Sequence, residues 1–327
     1  MKVSITRVFL LSLAAVCFAA AHGFSARPKP TQIRLAPALR PGQKLAYLVS
    51  YNLDRSIKAQ SRFQAPDQPA PGKLTLEMTL HVEILGRKAA GFRLRTYFAE
   101  PKAAPQSAGK TAPGESQPVP PPSSSHWVDF TLAKDGSVSS FSGLAGLPPV
   151  QQLAWREWLS RFAASMVYPK DGVKQGEKWE TLEPESAPSP IAGLVWHRTS
   201  QYVRDEPCPE AKRTAAGDFL ESVSKSESCA VILTTAKLKQ ESSSKDATPE
   251  DYKLNHLKTS GTAVGTNQTI LYISRSTGLL MRSSESDEQS MNVTVALADG
   301  SNQVHYDMTA SSRARLLLIT APSASAH

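Results

Sequence analysis

Apolar and polar residues alternate strictly between Leu74 and Ile84. Leu74, Leu76, Met78, Leu80, Val82 and Ile84 fall on one side, and Thr75, Glu77, Thr79, His81 and Glu83 on the other. A period of two puts successive side chains on opposite faces, so this stretch predicts a strand with one face on a core and the other in water. Gly86 closes it, and residues 91–98 return as a hairpin partner. Apolar, aromatic-rich runs at 45–51, 127–132 and 138–141 predict further strands, the last two joined through Asp135-Gly136, a hairpin-turn dipeptide. Later runs at 194–203, 229–238, 261–274, 279–286, 290–297 and 303–317 continue the pattern, with a turn at Asp299-Gly300 and a polar loop between Val203 and Cys229. One segment, 149–166, has helical period instead. Trp155, Trp158, Leu159, Phe162 and Met166 recur at spacings of three and four, with Arg156, Glu157, Ser160 and Arg161 opposite. Pro148-Pro149 starts it, where a missing N–H is harmless, and Tyr168-Pro169 ends it.

These elements predict a mainly β fold of curved antiparallel sheets, half-barrel-like, with one principal amphipathic helix. Two meanders are expected. The first covers 41–182 and includes the helix and a Pro-, Ala- and Ser-rich insertion at 101–125. The second covers 191–318, after a Pro- and Ser-rich break. The insertion cannot bury enough apolar area to offset its ordering entropy and reads as mobile. Residues 22–40 read as a disordered leader and 319–327 as a tail. Phe130 to Val138 and Tyr272 to Leu280 share a strand, polar turn, glycine and strand at matching offsets. That likeness is read either as an internal repeat of the two meanders or as what any two glycine-turn hairpins have in common.

Composition adds a compartment. Lys2 and Arg7 precede an apolar run, Val8 to Ala20, ending in Ala19-Ala20-Ala21, the pattern of a secretory signal peptide over 1–21. Its removal lowers the formal charge from +8 to +6. The remaining basic residues are scattered and not interleaved with aromatics, which argues against nucleic acid as a partner. Cys17 leaves with the leader; Val16 before it does not suit a lipid-attachment signal. Cys208 and Cys229 then remain in an oxidising compartment and are expected to form one disulfide.

Candidate chemistry is sparse. The chain has no nucleophile elbow, zinc-protease motif, phosphate loop or dinucleotide fingerprint. Ser222–Lys225 and Ser242–Lys245 fit Ser-x-x-Lys, but both lie in serine-rich polar stretches, not beside a buried lysine. The histidines outside the leader are isolated, and none has ligand spacing to another His or to a carboxylate. No cofactor is implied. Asn267-Gln-Thr269 and Asn292-Val-Thr294 match the glycosylation acceptor pattern. The aromatic helix face either packs on the sheet or also lines an apolar pocket; that pocket would comprise Trp155, Trp158, Phe162, Met166 and, from the segment after Gly176, Trp179.

Four pieces together carry a resemblance: the turn at Asp135-Gly136-Ser137-Val138, the aromatic helix, Val173-x-x-Gly176-x-x-Trp179 and Thr277-Gly278-Leu279-Leu280. Over residues 41–310 the chain resembles uncharacterised exported bacterial proteins built as two β-meander halves joined by a helical segment. More distantly, its layout is similar to the curved-sheet lipoprotein carriers of the bacterial envelope. The resemblance implies an exported, non-catalytic β protein and supplies no functional residues. The Pro-rich insertion and the disulfide loop depart from the carrier pattern. The expectation is a secreted or periplasmic protein that binds an apolar ligand or lipid between sheet and helix. The alternative is a solid-cored structural or adaptor protein with envelope protein partners, and a hydrolase assembled from distant strands is the third reading.

Overall fold

The computed structural model describes residues 32–35, 37–61, 72–98, 127–133, 138–145, 168–185, 189–215 and 218–319. Eleven strands are formed: β1 Lys44–Ser61, β2 Gly72–Lys88, β3 Gly91–Phe98, β4 Val128–Ala133, β5 Val138–Ser142, β6 Lys178–Pro184, β7 Leu194–Arg213, β8 Phe219–Gln240, β9 Leu257–Ser274, β10 Leu280–Leu297 and β11 Val304–Leu318. They make one antiparallel sheet, ordered β5-β4-β3-β2-β1-β11-β10-β9-β8-β7-β6. The sheet is open, since β5 and β6 are its two edges and do not pair with each other. Among the described residues the helical content is a single short turn, α1 Glu250–Leu254.

The expected plurality of sheets is corrected here. Pairing of the first long strand with the last, Tyr47 opposite Leu318 through Ser61 opposite Val304, joins both runs of strands into one sheet. The expected helix at 149–166, the signal segment 1–21, the insertion 101–125 and the Asp135-Gly136 turn lie outside the described residues. Of the expected leader 22–40, residues 32–35 and 37–40 are described, and they pack on the sheet. Ile33 bridges Val173, Leu35 is 2% exposed in the core, and the Ala38 N–H donates to the Thr277 carbonyl. Two breaks are also absent. The polar stretch after Val203 continues as strand in β7 and β8, and β10 runs unbroken through residues 286–290.

The alternation in β2 does what its period requires. Met78, Leu80, Val82 and Ile84 are buried on one face, here called the core face. Register extends that face across the sheet: Tyr202, Ile232, Leu271, Ser283, Leu316, Val49 and Met78 form one transverse row. Leu35, Leu144, Tyr168 and Val173 belong to the same apolar cluster. Trp179 packs against it, edge-on to Tyr168 with ring centroids 6.3 Å apart. Gly176, at φ +86°, makes the preceding turn and donates its N–H to Tyr202 O. The Asp299-Gly300 turn joins β10 to β11, with Gly300 N–H donating to Leu297 O. Backbone proximity is equally tight at Gly91 and Gly261, where a Cβ would sit 2.1 Å from the Leu132 and Asn292 carbonyl oxygens.

Candidate functional site

Following the core face away from the main cluster, the next row is polar. Arg198 on β7, Asn267 on β9, Asp287 on β10 and Ser312 on β11 lie in one register line with Ala236 between the first two. All four polar residues are buried. Arg198 Nε pairs with Glu183 Oε2 at 2.9 Å, and its Nη1 donates to Asn267 Oδ1. Asn267 Nδ2 donates to Glu285 Oε1 at 2.7 Å, and Thr269 Oγ1 donates to Asn267 Oδ1. Ser200 and Thr234 share a 2.8 Å hydrogen bond beside them. Burial raises the Glu183 pKa, and its ion pair with Arg198 only partly opposes that. This belt is held by the five strands β7 to β11 and the edge strand β6, and sequence order gives no hint that its members meet.

Beyond the belt the face turns apolar again, in two unlike parts. On β7 to β9 it is closed: Leu194, Trp196, Ala236, Leu238 and Ala263 are buried in a second cluster with Ile191, Ala247 and Val293. The Trp196 indole N–H donates to Glu185 Oε2, which ties the ring to the belt side. On β10, β11 and β1 it is half-open. Met291, Met308 and Ile57 line one register row, Val293, Tyr306 and Ala59 the next. Of these, Met291, Met308, Ile57 and Tyr306 are only partly buried. Asp287 and Met291 lie about 13 Å apart along β10 at the usual strand rise. The result is a half-exposed apolar apron bordered on one side by hydrogen-bonding groups. Methionine makes such a surface adaptable, because its unbranched, polarizable side chain repacks readily.

The other face carries different chemistry. Asp129 is buried between Arg93 (3.0 Å) and Arg95 (2.8 Å). The Arg95 hydrogen bond, opposed by burial, is the main cause that lowers the Asp129 pKa. His81 stacks on Tyr97 with centroids 4.7 Å apart, and burial lowers its pKa. A groove of about 500 Å³ crosses this face over Gly265 and Ala310, lined by Ser56, Thr266, Glu288 and Ser311. Its wall mixes these hydroxyl and carboxylate groups with the exposed side chain of Val264.

The residues singled out by sequence fare unevenly. Trp155, Trp158, Phe162 and Met166 lie outside the described residues; Trp179 is placed beside Tyr168, apart from the apron. Cys208 and Cys229 form the disulfide, both fully buried. Ser222 Oγ donates to Glu210 O and Ser242 Oγ to Ala192 O, so neither hydroxyl is bonded to its paired lysine. Among the described residues no three of His, Cys, Asp and Glu gather as a metal site. Of the two glycosylation patterns, Asn292 is exposed but Asn267 is 5% exposed within the belt. The belt did leave one trace in the sequence. Arg198 stands in phase with Leu194, Trp196 and Tyr202, where an apolar residue would be expected.

No helix among the described residues is long and apolar enough to cross a membrane. No family model matches the chain, and no curated protein matches it. Among solved structures, one described as lipid–protein interactions in lipovitellin aligns with a TM-score of 0.42 and 12% identity, covering 88% of this chain. The chain spans about a quarter (26%) of that protein's length. A second, the CymD monoaromatic hydrocarbon channel, aligns with a TM-score of 0.16 and 9% identity over 86% of this chain and 90% of that one. At these values neither likeness bears on function, which rests on the site itself.

Proposed function

We propose that this chain is an exported, non-catalytic protein that holds an apolar ligand or lipid against the core face of its sheet. The observation that carries the reading is the apron of Ile57, Met291, Tyr306 and Met308. These are large apolar side chains left partly exposed, with Met291 and Tyr306 at the margin of the second apolar cluster. An exposed apolar surface rimmed by polar groups is a binding surface by its energetics, since covering it removes apolar area from water. The belt at one end gives the ligand a direction. A hydrocarbon tail would lie on Met291, Met308 and Ile57, and a hydrogen-bonding head would reach the Gln289 and Asp287 side.

Titration of a fluorescent fatty acid tests this. Saturable binding is expected for the native protein, with loss of at least tenfold in affinity when Met291 and Met308 are both changed to Glu. Unchanged binding by that variant would overturn the reading. The adaptor reading draws support from Leu182, 67% exposed on edge strand β6, where an extended partner segment could add to the sheet. A Leu182→Lys variant that loses a co-purifying protein while keeping fatty-acid binding would favour it.

A further inference from the structure

Strands β7 and β8 outrun their neighbour. Pairing of β8 with β9 stops at Cys229 opposite Ser274, whereas β7 and β8 remain paired to Arg213 opposite Phe219. The overhanging hairpin is an arm. At its root the register shifts twice, at Tyr202/Arg204 and at Pro207/Pro209, and the buried Cys208–Cys229 disulfide sits at the second shift. Bulges bend a strand pair, and the arm turns back over the face opposite the core. There β7 comes within 8 Å (Cα) of β10 and β11, from which β8 and β9 separate it in the sheet.

The arm is held down by charge more than by apolar contact. Leu220 and Val223, its aliphatic residues near the tip, are 63% and 61% exposed. Asp205, Glu206, Glu221 and Glu227 reach partners on the sheet side. Asp205 pairs with Arg275 at 2.8 Å, burial and the neighbouring Glu206 raise the pKa of Tyr272, and Glu227 accepts from Ser274 and Ser276. Glu221 is the farthest out. One of its oxygens takes Arg282 Nη1 at 2.9 Å, and the other takes Arg315 Nη2. Two guanidinium groups from adjacent strands thus converge on one carboxylate. Arg282 lies over the Tyr272 ring, 5.5 Å from its centroid, and its Nε is buried without a hydrogen-bond partner among the described residues. An orphaned charged donor beside a two-arginine fork is an anion site with more capacity than Glu221 uses.

We infer that Arg282 and Arg315 form an anion-binding site that Glu221 occupies from within the same chain, and that the β7–β8 arm is its disulfide-hinged cover. The ligand is a phosphate- or carboxylate-bearing anion, free or as the headgroup of an anionic lipid. It competes with Glu221, and binding swings the arm off the sheet about the Cys208–Cys229 root. The site is on the face opposite the apolar apron and stands independently of that proposal.

The test compares the full protein with Glu221→Gln, which keeps the side chain's shape and removes its charge. Inorganic phosphate is titrated calorimetrically at low ionic strength, and co-sedimentation is measured with phosphatidylglycerol and with phosphatidylcholine vesicles. The variant is expected to bind phosphate roughly tenfold or more tightly than the native protein, because the closed state no longer withholds the site. Phosphate binding without vesicle binding assigns a free anion. Co-sedimentation with phosphatidylglycerol and not phosphatidylcholine assigns a lipid headgroup. Equal, weak binding by both proteins overturns the site, as does retained binding when Arg282→Gln and Arg315→Gln are added. Should Glu221→Gln not fold, amide exchange of the native arm (210–226) decides. Phosphate must accelerate it beyond chloride of equal ionic strength, and equal acceleration overturns the proposal.

Discussion

The two ends of the core face have the same backbone and opposite character. At the end near the β9–β10 turn, Leu80, Ile84, Ile232, Leu271 and Ile273 show essentially no exposed surface. At the other end, Met291, Met308, Ile57 and Tyr306 occupy equivalent inward positions and stay partly open. Between them runs a buried polar belt. The difference teaches that inward-facing periodicity does not by itself make a core. A row of side chains closes only where something packs on it: Leu35, Leu144, Tyr168 and Val173 at one end, and Ile191 and Ala247 beside β7 to β9 at the other. The belt separates the two regimes. It terminates the hydrophobic cluster with groups whose hydrogen bonds are satisfied laterally, strand to strand.

The sharpest way to break this comparison is at the belt. Arg198→Met leaves the partly buried Glu183 without its cation and is expected to cost about 2–3 kcal/mol by urea unfolding, whereas Arg198→Met with Glu183→Gln should fall close to native stability. A double variant as unstable as the single one would show that the belt is not an ion-pair unit. Next come the two ends themselves. Leu271→Ala should cost about 3–5 kcal/mol, as fully buried leucines do. Met308→Ala, starting half-open, should cost under about 1 kcal/mol. Equal losses would erase the distinction between core and apron.

Removing the disulfide with Cys208→Ala and Cys229→Ala should cost about 3 kcal/mol, for a loop closed over a separation of 21 residues. The loss should appear as faster amide exchange in the arm with little change in residues 230–238.

The smallest effect is a pH dependence, and two ion-paired carboxylates, the buried Asp129 and the partly buried Glu183, give it opposite signs. Asp129 has its pKa lowered by Arg95 and Arg93, so its stabilising contribution is full above the ordinary carboxylate range and is lost as pH falls through the depressed value. Glu183 has its pKa raised by burial, so its contribution is full below the ordinary range and declines as pH rises through the elevated value. Asp129→Asn should therefore destabilise at pH 7 and approach the native protein near pH 2. A gap between the two proteins that does not change with pH would contradict the assignment.

Much of the strand order was legible because stretches of one face in most strands are apolar. Leu74 to Ile84 predicted β2, and Asp299-Gly300 predicted its turn. The failures share one physical cause. Residues 286–290 and 204–228 looked like breaks because their inward or downward positions are polar: Asp287 and Gln289 belong to the belt edge, while Asp205, Glu206 and Glu221 pair with the sheet. In both places cross-strand partners satisfy the polarity, and a one-dimensional pattern cannot register them. The apron was hidden for a related reason. Ile57, Met291 and Met308 are far apart in sequence and meet only through the pairing of the first strand with the last two. Trp179 was foreseen as a core contact, and its edge-on packing against Tyr168 follows the Gly176 turn.

The most direct measurement is photolabelling of the native protein with a diazirine-bearing fatty acid, followed by peptide mapping. The account predicts labels concentrated on β10, β11 and the second half of β1, at Met291, Met308, Tyr306 and Ile57, and diminished by excess unlabelled fatty acid. Labels that fall instead on the groove residues Val264 and Thr266, or that resist competition, would contradict an apolar site on the core face.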